Sequence, residues 1–148
     1  MSLQTPPQSL PKLYSLTAIG VATFLGSALA AGYMLASNYR ALGQQRMGQL
    51  ALIGSLMVVL AFVFLPTQLT PNISTAIVLM IAQVLIVLLI ANKLQGAMFR
   101  SFEAMGGTYH SMRRTLWVGV MASVALTAAS VLLLLLLADG SAPTSTGA

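Results

Sequence analysis

The sequence has no cysteine, one histidine and only two acidic residues, Glu103 and Asp139. Without cysteine there is no disulfide, no thiolate nucleophile and no Cys-based zinc or iron–sulfur site. Two distant acids supply no carboxylate pair for general acid–base work. His110 has no orienting carboxylate at a recognisable spacing, so a hydrolytic triad is excluded. No glycine-rich phosphate loop is present. The reading is a chain with no catalytic residue, no metal and no cofactor, and not an enzyme. Met98, Met105 and Met112 flank His110 at a spacing of seven, which invites a soft copper(I) site. Those methionines also fit the apolar side of one helix, and that is how they are read here.

Charge of either sign is scarce. Only 6% of residues are charged, against about 25% in soluble domains. A soluble fold this poor in charge cannot cover its own surface. The hydrophobic residues make up 57% of the chain and fall in four long runs, 13–36, 47–65, 73–91 and 116–138. Each run reaches the ~20 residues that a ~30 Å hydrocarbon core requires. None shows the period-2 alternation of a barrel strand. Backbone polar groups in lipid must be satisfied within the segment, so the runs are helices. The fold class is all-α, an integral membrane bundle of four transmembrane helices forming a single domain. No Asp, Glu, Lys, Arg or His lies inside a run, which argues against a proton-coupled transporter acting alone.

The formal charge of +5 comes from seven basic residues. In a soluble protein it would point to nucleic acid; here it reads as membrane topology, with no nucleic-acid partner. Arg40 and Arg46 lie between the first two runs, and Lys93, Arg100, Arg113 and Arg114 between the last two. Lys12 precedes the first run. With four straight crossings, six basic residues stand on one side and one on the other. The positive-inside rule then puts both basic loops in the cytoplasm and both termini outside. Lys12, the apolar stretch and Ala28-Leu29-Ala30 imitate a secretory signal with its cleavage site. The run continues to Ala36, too long for such a signal, so it is kept as a helix. Residues 1–11 and 140–148 read as short flexible tails. Pro66 ends the second helix and Asn72 caps the third. In segment 94–109, Leu94, Met98, Phe102, Met105 and Tyr109 recur every three or four residues. This is an amphipathic helix, lying at the interface or extending the third helix, and facing lipid or protein. Gly106-Gly107 stops it.

Two groups of residues are assigned roles. Ala18, Ala22, Gly26 and Ala30 form a small-residue stripe that lets the first helix approach a neighbour closely, with Gly26 its tightest contact and Ala31 off the stripe facing lipid. Gln83, the one large polar side chain near the middle of a run, is read as an interhelical clamp. Asn38, Tyr39, Arg40, Arg113, Arg114 and Trp117 are read as anchors at the cytoplasmic interface, through headgroup hydrogen bonds, charge and amphipathic rings. Gly43 takes the left-handed conformation that closes the first helix.

The cluster Asn38-Tyr39-Arg40-Ala41-Leu42-Gly43, after a first helix rich in Gly and Ala, is followed by two helices, Gly106-Gly107, Ser111 and a final helix. In this layout the chain resembles a group of small bacterial four-helix inner-membrane proteins with an Asn-Tyr-Arg-x-Leu-Gly motif. The resemblance implies the bacterial inner membrane and carries no activity with it. The functional expectation is a multi-pass structural or accessory protein whose partners are the lipid bilayer and other membrane subunits or a second copy. The alternative is a small oligomeric transporter, channel or lipid-handling protein.

Overall fold

The structure, a computed structural model, describes residues 10–64 and 72–140. Four helices follow one another: α1 (Leu16–Ala41), α2 (Gln45–Phe64), α3 (Ile73–Ala104) and α4 (Met112–Gly140). Each is long and apolar enough to cross a membrane. The expected turn at Pro66 and nearly all of both expected tails lie outside the described residues.

Local signals fix the helix ends. Ser15 caps α1 by accepting from the Ala18 N–H at 3.2 Å, and Asn72 caps α3 by accepting from Thr75 at 2.7 Å. Two glycines with positive φ, Gly43 at 77° and Gly106 at 73°, close α1 and α3. At the first, Gln44 N–H donates to the Tyr39 carbonyl and Gly43 N–H to that of Arg40; at the second, Gly107 donates to Phe102 and Gly106 to Glu103. This pairing uses up terminal carbonyls, and it needs the left-handed residue that glycine supplies without steric cost. Segment 94–109 divides between the two: α3 runs on without a break to Ala104, and residues 105–111 then turn back over its end.

α1 departs from the expected straight crossing. The Tyr14 N–H donates to Asn38 Oδ1 at 2.7 Å, and Asn38 Nδ2 donates back to the Tyr14 carbonyl at 2.9 Å. A straight helix would hold these residues about 36 Å apart at 1.5 Å per residue. The helix instead breaks at Gly26 and Ser27, where Ser27 takes φ 68°, ψ −177°. Ser27 then begins the second half by accepting from Leu29 N–H at 3.4 Å. The halves, residues 16–25 and 28–41, are about 15 and 21 Å long. Neither alone covers a ~30 Å core. α1 is a helical hairpin that enters the bundle and returns to the end it came from.

The hairpin is the core of the molecule. α2, α3 and α4 each pack on it and scarcely on one another. Ala18, Ala22, Gly26 and Ala30 are all buried. So is Ala31, at 1% exposure, which corrects its expected lipid-facing position. Burial ends at the level of the hairpin tip. No residue of α3 before Val87 is buried, and no described side chain of α4 after Gly119. Beyond the tip the described side chains of the outer helices are exposed or only partly buried.

The hairpin also moves the chain's start. Leu13 N–H donates to the Thr108 carbonyl at 3.3 Å, and His110 N–H donates to the Leu13 carbonyl at 2.8 Å. Lys12 therefore sits at the same end as the other six basic residues, and the six-to-one division becomes seven to none. The start of α1 therefore lies beside the start of α4 and away from its far end.

Candidate functional site

Two buried amides meet where the hairpin closes. Asn38, 1% exposed, and Gln95, 0% exposed, are the centre. Asn38 Nδ2 donates to Gln95 Oε1 at 3.1 Å as well as to Tyr14, and Gln95 Nε2 donates to the Leu35 carbonyl at 3.1 Å. The pair ties the two ends of α1 to each other and to α3. Asn38 thereby uses its acceptor and both of its donors, as a buried amide must. Tyr39 lies beside it, buried, with its hydroxyl 3.5 Å from the Leu94 carbonyl. Asn38 and Tyr39 thus face inward and do not act as headgroup anchors. The reason is the hairpin, which turns an expected surface end into the closure of the core.

The expected clamp is elsewhere too. Gln83 is half-buried and makes no hydrogen bond among the described residues; Gln95, one to two turns outside the third apolar run, holds that role. A glutamine just past the apolar run looks like a solvated residue, and only the continuation of α3 beyond Ala91 would have drawn attention to it.

A second group lines the joint between the chain's start and α4. The Tyr14 and His110 rings are 4.5 Å apart. The Arg114 guanidinium lies 5.8 Å from the Tyr14 ring centroid. Arg114 Nη1 is 3.5 Å from His110 Nδ1, which places a cation against the nitrogen a metal would use. Burial, and then the charges of Arg114 and Lys12, hold the His110 pKa below its ordinary value. Tyr14 Oη and Thr115 Oγ1 are both buried without a hydrogen-bond partner among the described residues. Nearby, Tyr109 donates to Glu103 at 3.0 Å. Burial, reinforced by that carboxylate, pushes the Tyr109 pKa up to about 12. Met105 and Met112 are 62% and 48% exposed, so the methionines flanking His110 do not converge on it.

Of the remaining anchors, Arg40, Arg113, Arg114 and Trp117 are exposed at the basic end. Arg114 and Trp117 share a shallow hollow with Tyr33, and Arg113 and Trp117 share another with Leu116.

The best-formed concavity was not foreseen from the sequence. It is an apolar cleft of about 290 Å³ between α2 and α3, with the second half of α1 as its floor. Ala28, Gly32 and Leu35 form the floor, Leu50 and Gly54 one wall, and Ile90 and Leu94 the other. Small residues on α1 make room for it, and α2 and α3 do not close over it.

The chain matches no protein-family model, no curated protein and no solved structure.

Proposed function

We propose that this chain is an accessory membrane protein, a multi-pass subunit that organises other membrane segments rather than carrying out a reaction. One observation carries this reading. α2, α3 and α4 are held together at one end by the α1 hairpin, and the described side chains of α3 before Val87 and of α4 after Gly119 are not buried by the rest of the chain. Helices in lipid associate through close packing and interhelical hydrogen bonds. Three outward-standing apolar helices leave room for further membrane segments between them. Intact mass measured after mild-detergent extraction from the native host tests it. A fixed ratio of this chain to another membrane polypeptide is the expected result; a pure homo-oligomer overturns it.

That overturning result belongs to the second reading, a small oligomeric channel or carrier, and the broken α1 is its support. Half-helices whose ends meet at mid-membrane are a recurring device of pores and transporters.

For orientation we propose the basic end in the cytoplasm, three crossings by α2, α3 and α4, and a hairpin α1 entering from the cytoplasmic side. A bacterial inner membrane is the setting implied by the motif at Asn38–Gly43. Support comes from the gathering of all seven Lys and Arg residues at one end, which the positive-inside rule reads as cytoplasmic. Single cysteines at Leu10 and Gln44 are expected to resist an impermeant maleimide in intact cells, while one at Gly140 reacts. Opposite behaviour of residues 10 and 44 would show that α1 crosses once.

A further inference from the structure

We infer that the α1–α2–α3 cleft binds one anionic phospholipid from the leaflet at the basic end, with an acyl chain in the cleft and its phosphate at the start of α2. The length fits. The floor runs from Tyr39 down to Ala28, about 16 Å at 1.5 Å per residue. One leaflet of a ~30 Å hydrocarbon core is about 15 Å deep. The lining is apolar throughout that length, apart from Tyr39 at the mouth and Ser55. Ser55 satisfies itself by donating to the Leu52 carbonyl at 2.8 Å, so it asks nothing of a hydrocarbon chain.

The mouth is polar and basic. Met47 lines the cleft and also a shallow surface depression formed with Gly43, Gln44, Gln45 and Arg46. Apolar slot and polar depression therefore meet at one residue. Arg40 lies over the same place, its Cγ 3.3 Å from where a Cβ on Gly48 would stand. Lys93 adjoins Leu94 on the opposite wall. The depression is lined by the first residues of α2, Gln45, Arg46 and Met47. A helix start carries partial positive charge that favours phosphate. No counter-ion competes: the chain has two acids, of which Glu103 accepts from Tyr109 and Asp139 stands at the far end of α4. Arg40 and Arg46 stand beside the start of α2 at one end of a chain-sized slot, and the complementary ligand is an anionic lipid.

The inference is independent of the accessory reading, because it concerns the cleft alone. Gly54 provides the test, since a Cβ added there meets nothing within 4 Å. Gly54→Leu fills the slot without displacing the fold. Native mass spectrometry is the measurement, on the full chain released from phosphatidylcholine nanodiscs containing a minor share of phosphatidylglycerol. The wild type is expected to retain one phosphatidylglycerol in preference to phosphatidylcholine. Gly54→Leu should lower retention of either lipid about tenfold, or about 1.4 kcal/mol, by taking space the acyl chain would occupy. Arg46→Gln should keep the lipid but reduce the preference for phosphatidylglycerol about fivefold, the worth of one basic residue at an anionic surface. If Gly54→Leu fails to accumulate, Ile90→Trp fills the cleft from the other wall. Equal retention of the two lipids by the wild type, unchanged retention in the filled variants, or a second copy of the chain in place of lipid would each overturn the inference.

Discussion

Replacing Asn38 by leucine is expected to destabilise the protein by about 3–5 kcal/mol. The side chain has three partners: the Tyr14 N–H, the Tyr14 carbonyl and Gln95 Oε1. Each is left unpaired in a buried place, at about 1–3 kcal/mol apiece. The lower half of that sum is the better expectation, because Tyr14 sits near the end of the bundle where water can relieve some of the loss. Denaturant unfolding in mild detergent measures it. A double-mutant cycle tests the connection as well as the size. Gln95→Leu alone should cost less, since it strands only one Asn38 donor and the Leu35 carbonyl. Added to Asn38→Leu it should cost little more, because contacting residues in one network are not additive. Strict additivity would mean that Asn38 and Gln95 act separately, and the closure of α1 would need another explanation.

The second large effect is expected at Gly26. A Cβ there falls onto the Gly119 carbonyl oxygen, a backbone atom of α4 that cannot rotate away. Overpacking in a core costs about 1–3 kcal/mol when side chains can adjust. Here the obstacle is backbone, so Gly26→Leu should reach or exceed the top of that range, and even Gly26→Ala should be felt. Ala129→Leu, on an exposed stretch of α4, should stay within about 0.5 kcal/mol of the wild type. Thermal midpoints in detergent compare them. Similar midpoints for Gly26→Leu and Ala129→Leu would show that α1 and α4 do not meet at this glycine.

The helical class and the helix ends were legible in the sequence because they rest on local physics. Unbroken apolar runs mean helices in lipid, Asn72 after a proline means a cap, and Gly43 and Gly106 mean left-handed closures. The path of α1 was not legible. An apolar run from 13 to 36 has the length of one crossing, and hydropathy does not register a reversal inside it. The one local signal was Gly26-Ser27, a helix-ending glycine followed by a helix-starting serine, and small residues in an Ala-rich helix read equally well as close packing. Reading α1 as straight then misplaced everything that depends on its direction: Asn38 and Tyr39 became surface anchors, Ala31 faced lipid, and Lys12 stood alone on the far side. Gln83 was chosen over Gln95 because depth was judged from the apolar run, while the polar closure forms where that run has already ended. The cleft had no sequence signature, since it arises from two helices that fail to meet.

The break in α1 also bears on how the protein is made. Non-helical backbone at membrane depth is tolerated only where protein buries it. The residue that lies against Gly26 is Gly119, in α4, which follows the other three helices along the chain. α1 therefore cannot reach its final form until α4 has entered the membrane. Until then the hairpin is an unfinished element, and this is the interval in which a membrane chaperone or insertase would have something to shield. Holding Lys12 with the other basic residues simplifies the same process. Passing a basic side chain through the bilayer centre is unfavourable by about 2.5–3.5 kcal/mol on insertion scales, and the topology we propose requires no basic residue to make the journey.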